Sequence, residues 1–426
     1  MFSKEYAREM SFWGVPALYA AVAIATGFTI PVLEDRIFPG FISPMSVSSA
    51  TAIYSSIASG MIALTGIVFS LAFVMVQFSA TAYSPRLVVW VARDRVILHS
   101  LGIFIATFLY GVAALAGIDR RGSGHVPFFS VCLEVALLLA SVGMFIALIN
   151  RVGLLQINRM LAFTGDQGRK VISTLYPQLD STAGLVTRSD DVGSLPPTQT
   201  LTHHGGPHVI QAVDVASLVS LAKTFDGIIQ AVGAVGDTVI ELTPVLHVYA
   251  ARGPIPEKKL RNGIELGKQR TFEQDPKYAI RLLVDIAIKA LSPAINDPTT
   301  AVQALDEIED LLLRLGQRRL EIGRYRDSEG KLRLIVPFPT WDDLLLLAFD
   351  EICSSGATSM QVMRRMNALV ANLIQTVPKE RQPALELWAA RLKAMITRYF
   401  PESEERRAAF MEDRQGLGAP SRHLSG

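Results

Sequence analysis

Apolar residues are concentrated before residue 160, in four runs separated by shorter polar stretches. Each run approaches the roughly 20 residues that an α-helix needs to cross the hydrocarbon core of a bilayer. We do not interpret the first run as a cleavable signal, because it lacks a clear small-x-small cleavage site and three more runs follow. The pattern therefore predicts four transmembrane helices, at residues 12–33, 50–76, 96–118 and 126–149.

Lysine and arginine flank these spans unevenly, and cytoplasmic loops generally carry the excess. The excess lies before the first span, between the second and third, and after the fourth. We therefore expect a multi-pass protein of the bacterial inner (plasma) membrane with both termini in the cytoplasm. The basic residues on the expected cytoplasmic side are Lys4, Arg8, Arg86, Arg93, Arg95, Arg151, Arg159, Arg169 and Lys170, against Arg36, Arg120 and Arg121 in the opposite loops.

The second span is polar along one side of its helix. At 100° per residue the polar and small residues fall within an arc of about 100°. One interpretation is a seam of small residues for close helix packing, and the other is the lining of a pore. The two are compatible if the seam surrounds an oligomer axis, with the apolar side of the helix, which includes Ile57, Met61 and Val68, facing lipid. The candidate pore-lining residues are Thr51, Ser55, Ser59, Gly66, Ser70 and Gln77.

Glu134 is the single carboxylate well inside a predicted span, and Ser130 and Ser141 share its helix face. A charge at that depth is costly, so we expect the group to be protonated, paired or hydrated. Tyr110, Ser55 and Ser56 lie at a similar depth and are its expected partners. Glu134 is thus either a proton or cation site or a protonated acid that bonds to a neighbouring helix.

After the fourth span the chain becomes more polar and predicts an α+β region. Strand-like segments on either side of a short helix that starts at Asp214 predict a small β-barrel or sandwich. Helical patterns at residues 257–266, 275–291, 297–316, 360–377 and 382–400, with another starting near Asp342 or Thr340, predict a helical bundle. The fold class is therefore a membrane α-helical protein with four transmembrane helices, followed by a cytoplasmic α+β region.

The expected boundaries follow from these changes in pattern. Residues 1–160 form the transmembrane domain with a stalk, and residues 161–206 continue as stalk and linker. A small β domain occupies residues 207–252. A mainly helical domain occupies residues 253–400, with a β-hairpin near 325–337. The tail, residues 401–426, is expected to be disordered.

Two polar corners of the helical domain are candidates for a ligand or a subunit contact. Asp275-Pro276 and Asp297-Pro298 begin two helices in the same way, since aspartate accepts bonds from free backbone N–H groups and proline needs none. A structural role as N-caps is sufficient to explain the two aspartates. The free N–H groups at such a helix start can also bind an anion. The candidate residues are Arg270, Asp275, Ser292, Asn296, Asp297, Thr299 and Thr300.

Composition excludes several other classes of protein. The net charge of +2 and the absence of a basic run with interleaved aromatic residues give no sign of nucleic-acid binding. Two cysteines, Cys132 and Cys353, do not support a disulfide framework, and His203, His204 and His208 have no carboxylate or cysteine nearby in sequence. We find no phosphate loop, HExxH or nucleophile elbow, so we predict no catalytic residues, metal or cofactor.

Several long stretches carry a resemblance to a known family. They are "GIVFSLAFVMVQFSATAYSPRLV", "ARDRVILHSLGIFIATFLYG", "RTFEQDPKYAIRLLVDIAIKALSPAINDPTTAVQALD" and "KLRLIVPFPTWDDLLLLAFDEI". The chain resembles the bacterial predicted-membrane-protein family of unknown function, domain-of-unknown-function family twenty-two fifty-four. The resemblance implies four N-terminal spans and a large cytoplasmic region, and it implies no established reaction. Val235-Gly236 and Asn150-Arg151 stand where family members tend to have Pro-Gly and a histidine pair.

Two functional hypotheses follow. The first is an oligomeric channel or transporter-like pore that conducts an ion and is gated by its cytoplasmic region. The second is a non-conducting, membrane-anchored scaffold or sensor whose cytoplasmic domain binds a protein or a small ligand. Both place the chain in a lipid bilayer, as a homo-oligomer in the first case, and neither makes it an enzyme.

Overall fold

The computed structural model describes residues 11–38, 43–82, 95–119, 126–152, 157–179 and 196–418. The chain divides into two units, Met1–Gln156 and Ile157–Gly426. Part of the predicted linker (180–195) and the end of the tail (419–426) lie outside the described residues. So do several residues of the orientation argument: Lys4, Arg8, Arg86, Arg93, Arg120 and Arg121.

The first unit contains four long apolar helices, at the positions where the sequence predicts spans. Each is long and apolar enough to cross a membrane. The prediction of four candidate transmembrane helices is therefore confirmed. The helices are α1 (Ser11–Ile37), α2 (Val47–Ala82), α3 (Arg95–Leu115) and α4 (Phe128–Val152).

Helix α3 lies at the centre of the first unit, with α1, α2 and α4 packed against it. Of its most apolar segment 56% is buried, against 17–22% for the other three helices. Glycine allows the closest approaches, because it leaves room for a neighbouring backbone. A Cβ added at Gly27 of α1 would lie 2.7 Å from the Cβ of Ala113 on α3. The core of this unit is therefore the surface of α3.

The second unit begins with α5 (Ile157–Leu175), which replaces the first part of the predicted stalk and linker. Its apolar face, including Leu161 and Ile172, is buried, and the helix packs within the second unit. Arg169 on its other side donates to Glu307 and Asp310, both at 2.8 Å. The amphipathic pattern of this segment thus reflects packing within the second unit.

Eight strands and two short helices form the β part of the second unit. The strands are β1 (Gln199–Thr202), β2 (His208–Val213), β3 (Ile228–Ala231), β4 (Thr238–Val239), β5 (Pro244–Tyr249), β6 (Ile264–Gly267), β7 (Arg324–Arg326) and β8 (Leu332–Ile335). The helices are α6 (Val215–Thr224), which Asp214 caps as predicted, and α7 (Glu257–Asn262). The segment predicted as one helix at 257–266 is therefore helix followed by strand.

Of the two predicted possibilities, a small barrel or a sandwich, the closed barrel is wrong, because the described strands form two open sheets. One sheet has the order β1-β5-β3-β8-β7, with β1 and β7 at its edges, and the other has the order β4-β2-β6. The predicted hairpin near 325–337 contributes β7 and β8, and β8 pairs with β3 in parallel. Strand β2 pairs instead with β4 and β6, in the second sheet. Both sheets share one apolar core, which includes Leu201, Ile210, Leu218, Ile229, Val239, Leu246 and Leu334.

The helical part of the second unit is built around α8. The helices are α8 (Pro276–Ala290), α9 (Pro298–Gly316), α10 (Trp341–Gly356), α11 (Met360–Thr376) and α12 (Gln382–Tyr399). Helix α8 packs on α5, α9 and α10, and its apolar face is fully buried. The caps are as predicted at Asp275 and Asp297, and a capping box of Thr340 with Asp343 starts α10.

The tail contains a docked helix where its composition predicts disorder. Helix α13 (Ser403–Ala409) packs on α11, and Ala409 is fully buried. Arg364 and Asn367 of α11 donate to the carbonyl oxygens of Ala408 and Ala409, at 2.7 and 3.1 Å. These side chains satisfy carbonyls at the end of a helix, which otherwise lack partners. The polar composition of the tail therefore reflects the exposed face of α13 and does not indicate disorder in that segment.

Candidate functional site

The polar side of α2 points away from the four-helix unit. Ser55, Ser59, Gly66, Ser70 and Gln77 are exposed, and Thr51 is half-buried. The opposite side, predicted to face lipid, instead supplies the contacts of the unit: Ile57, Met61 and Val68 are 9%, 3% and 2% exposed. The expectation of a lipid-facing apolar side is therefore wrong for these three residues. A single copy of the chain in a bilayer would place the polar arc against lipid.

Glu134 of α4 lies inside the four-helix unit, with no part of its side chain exposed. No donor in the described part of the chain reaches either carboxylate oxygen. The carboxyl faces Gly111 of α3, where an added Cβ would lie 2.6 Å from Oε1. Its expected partners are engaged elsewhere or absent from its surroundings: Tyr110 bonds to Ser130, and Ser55 and Ser56 are exposed.

Three buried hydroxyl groups meet one helical turn before Glu134. The Tyr54 hydroxyl of α2 donates to Ser130 Oγ on α4 at 2.9 Å. The Tyr110 hydroxyl of α3 lies 2.8 Å from the same oxygen. All three residues are completely buried. The hydroxyl cluster Tyr54–Tyr110–Ser130 therefore ties three helices together beside the acid.

Glu34, near the end of α1, caps the start of α4. Its two carboxylate oxygens accept bonds from the backbone N–H groups of Phe129 at 3.0 Å and Ser130 at 3.1 Å. Free N–H groups at a helix N-terminus stabilise a negative charge, so Glu34 is well placed although it is buried. Sequence reasoning missed Glu34 and Tyr54. An acid at the end of an apolar run was the available signal for Glu34, but its partner depends on tertiary packing.

Polar contacts continue along α3 and α4 beyond Glu134. The hydroxyls of Thr107 and Ser141 lie 2.9 Å apart, and both residues are completely buried. Nearer the start of α3, the Tyr19 hydroxyl lies 3.2 Å from His99 Nδ1. The face shared by Ser130, Glu134 and Ser141 is therefore directed at α3 and forms the polar part of the contact between α3 and α4. Only Glu134 on this face has no bonding partner among the residues described.

In the second unit, Arg270 and Asp275 form a closed junction between a sheet and a helix. Asp275 accepts from the N–H of Lys277 at 3.1 Å, and Arg270 Nε donates to its other oxygen at 2.6 Å. Gly236, in the turn before β4, fits against this pair with a left-handed φ of +94°, where an added Cβ would lie 2.3 Å from Asp275 Oδ2. Burial raises the pKa of Asp275, against the lowering effect of Arg270. The pair thus has a structural explanation.

The neighbouring glutamine of the same motif completes this junction. Gln274 Oε1 accepts from the N–H of Val213, the last residue of β2, at 3.0 Å. The stretch "RTFEQD" therefore joins the three-stranded sheet to the start of α8. Its residues hold protein groups, and the geometry requires no ligand to explain them.

The corner from Ser292 to Thr300 joins α8 to α9. Asp297 accepts from the N–H and the hydroxyl of Thr300, at 3.1 and 2.6 Å. Its own N–H donates to the carbonyl of Ala290 at 2.8 Å. Asn296 has a left-handed φ of +50°, which asparagine tolerates better than most residues. A joint accounts for these residues, while Asn296 and Thr299 remain exposed at its surface.

The two corners lie at opposite ends of α8. Arg270 and Asp275 precede its first residue, and Ser292 follows its last. A helix of 15 residues places them about 22 Å apart at 1.5 Å per residue. They therefore do not form one site within a single chain.

The three clustered histidines bind neighbouring protein groups. His203 Nε2 and His208 Nδ1 both contact the carbonyl of Gly206, at 2.9 and 2.8 Å. His204 Nδ1 lies 2.9 Å from Glu241. Across the described ranges no group of three or more histidine, cysteine, aspartate or glutamate residues is placed to hold a metal ion.

Comparison with known proteins shows related chains of similar extent. The chain is 27% identical over 434 residues to uncharacterized protein Mb1321c of Mycobacterium bovis, covering 96% of this chain and 82% of the relative. Uncharacterized protein Rv1290c of Mycobacterium tuberculosis matches with the same identity and coverage. No solved structure matches the chain at a significant level. The model of one family matches residues 9–372, so the chain belongs to the family described as predicted membrane protein (DUF2254).

Proposed function

We propose that the protein is an oligomeric pore of the bacterial inner membrane, in which copies of α2 surround a shared axis and conduct ions. The observation that carries this proposal is the outward-facing polar arc of α2, defined by Ser55, Ser59, Gly66, Ser70 and Gln77. Hydroxyl and amide groups gain little from lipid tails, whereas they can replace part of the hydration of an ion. Association that turns the arc toward an axis gives these groups polar surroundings.

The same face of α2 also has the space that a second helix requires. A Cβ added at Gly66 would meet no atom of a neighbouring described element within 4 Å. Small residues at membrane interfaces allow helix backbones to approach closely. The polar arc is therefore suited both to packing against another copy and to lining the space between copies.

Orientation is part of the proposal. The excess of lysine and arginine supports a cytoplasmic position for both termini and, with them, for the second unit. In that position the second unit is available to gate the pore. Reporter fusions at the C-terminus and within residues 120–125 test this, since an enzyme that is active only outside the cytoplasm should report from the second position alone.

Cysteine crosslinking tests the assembly. In a chain whose own Cys132 and Cys353 are replaced by serine, we expect Ser70→Cys to crosslink between copies in native membranes. Leu71→Cys is the matched control, because Leu71 is also exposed, at 40%, but lies outside the arc. Equal crosslinking at both positions, or none at Ser70, contradicts an axis lined by the arc.

Bilayer recording tests conduction. Purified protein in planar bilayers should carry ionic currents, and Ser59→Leu or Ser70→Leu should reduce them several-fold by narrowing and drying the lining. Leu71→Ala is the control and should leave the current unchanged. Specific crosslinks without current across voltage, pH and osmotic steps would favour the alternative, a non-conducting scaffold or sensor that assembles through the same face.

A further inference from the structure

The Glu134 carboxyl lies in surroundings that offer no counter-charge. Its side chain is completely buried, and neither oxygen accepts a hydrogen bond from the described residues. A carboxylate in such a place would have lost its hydration without replacement, which is far less favourable than burial of a neutral acid. The packed arrangement of α3 and α4 therefore holds Glu134 with a proton on its carboxyl.

The titratable groups nearest to Glu134 reinforce this. The element packed most closely against it is α3, which contributes Tyr110 and places Gly111 against the carboxyl. Helix α2 contributes Tyr54, and α1 contributes the acid Glu34. None of the three supplies a positive charge.

A cluster of buried hydroxyl groups lies between Glu134 and one end of the unit. Ser130 precedes Glu134 by one helical turn on the same face, and its hydroxyl contacts those of Tyr54 and Tyr110. Glu34 lies beyond it, bonded to the N–H of Ser130 and 6% exposed. Hydroxyl groups both donate and accept, so this cluster, once water bridges it to the carboxyl, can pass a proton between the acid and that end of the unit.

We propose that Glu134 is a proton-binding site of the four-helix unit. It holds a proton while α3 and α4 are packed together and releases the proton when water enters between them. The exchange moves one proton between the carboxyl and water, through the hydroxyl cluster Tyr54–Tyr110–Ser130. Gly111 is the feature that makes room for the neutral acid in the packed state. The site goes beyond the proposed pore, and it stands whether or not the protein conducts.

Infrared difference spectroscopy tests the proposal on the full-length protein in phosphatidylcholine vesicles. The wild-type spectrum at neutral pH should contain the carbonyl stretch of a neutral, weakly hydrogen-bonded carboxylic acid, and that band should be absent from Glu134→Gln. A difference spectrum that shows carboxylate bands in place of the acid band overturns the proposal. Because the measurement needs no current, failure of the pore hypothesis does not affect it.

A second variant and a second readout cover the case in which Glu134→Gln does not assemble. Gly111→Ala keeps the acid but crowds Oε1, so the acid band should shift in frequency. Thermal stability supplies the other readout. The folded chain keeps the Glu134 proton where an unfolded glutamate, with a pKa of about 4.3, has released it. Wild-type stability should therefore fall as the pH rises from about 4 to the pH at which folded Glu134 releases its proton, more steeply than that of Glu134→Gln, and level off above it. An unshifted band in Gly111→Ala together with parallel pH profiles overturns the assignment. Loss of the acid band when sodium ions are added at constant pH would overturn it too, in favour of a sodium site.

Discussion

At the scale of single residues, the most informative position outside the four-helix unit is Asn296. The left-handed φ of +50° places it where a side chain with a branched or bulky Cβ is strained. Its side chain is exposed, and its backbone N–H bonds to the carbonyl of Ser292 at 2.8 Å. The residue is thus explained by its backbone conformation, without any ligand.

Substitution at Asn296 should therefore follow backbone preference. We expect Asn296→Ala to lower the free energy of unfolding by about 1 kcal/mol, since a left-handed conformation costs other L-residues roughly 1–2 kcal/mol. Asn296→Gly should be neutral or nearly so, because glycine adopts that conformation freely. Thermal unfolding of the full chain in detergent measures both. If the glycine variant loses stability or activity as strongly as the alanine variant, the side chain itself has a role.

Residue types alone predict the caps of this protein well. Asp275, Asp297 and Asp214 each accept from the backbone N–H expected of an N-cap, because capping depends on a few consecutive residues. Glu34 also caps a helix, but its partner lies in another helix, more than 90 positions later. Local sequence contains no information about that pairing, so the residue was not predicted.

At the scale of elements, the start of α4 depends on this distant cap. We expect Glu34→Gln to lower the stability of the full chain by about 1 kcal/mol, the usual range for loss of an N-cap being roughly 0.5–2 kcal/mol. The amide can bond one N–H group of α4 but brings no negative charge to the helix N-terminus. Thr29→Ala on the same helix is the control, because the Thr29 hydroxyl is exposed and bonds to its own helix at Ala25. Equal losses in the two variants would show that the cap contributes nothing specific.

The hydrophobic pattern located the four candidate transmembrane helices of the described residues but oriented α2 the wrong way. In water the apolar face of a helix turns inward, since the solvent and the core differ. In a bilayer the lipid is as apolar as the core, so an apolar face has no preferred direction and packing decides. Ile57, Met61 and Val68 accordingly fill the space beside α3, while the polar arc is left outside. For α5, which lies in the second unit, the same kind of pattern does indicate the buried face.

The alternating pattern likewise predicted the strands but not how they pair into sheets. The segments around β2 and β3 were recognisable, and so was the later hairpin. Their pairing was not, because β3 finds its parallel neighbour β8 far along the chain, where Ile229 lies opposite Leu334. Local turns restrict hairpins to antiparallel neighbours, whereas a parallel pair needs a long crossover. The predicted barrel was wrong for this reason.

At the scale of the whole molecule, glycines separate the packing of one chain from the association of several. Gly27 and Gly102 lie inside the four-helix unit, where an added Cβ would come within 2.7 Å of Ala113 and Tyr19 respectively. Gly60 and Gly66 lie on the exposed side of α2, where an added Cβ would have no neighbour within 4 Å among the described residues. All four positions are glycines, but Gly27 and Gly102 are enclosed by neighbouring helices of the same chain, whereas Gly60 and Gly66 are not.

Leucine at these positions should therefore give two different defects. We expect Gly66→Leu to leave the thermal stability of the solubilised chain within about 0.5 kcal/mol of wild type, as for a surface substitution. The variant should nevertheless lower the assembled mass, because a bulky side chain separates helices that approach through small residues. Gly27→Leu should instead destabilise the chain by overpacking, about 1–3 kcal/mol. Light scattering coupled to size-exclusion chromatography gives the mass, and thermal unfolding gives the stability. An unchanged mass for Gly66→Leu would place the subunit interface away from the polar arc, and with it any conducting axis.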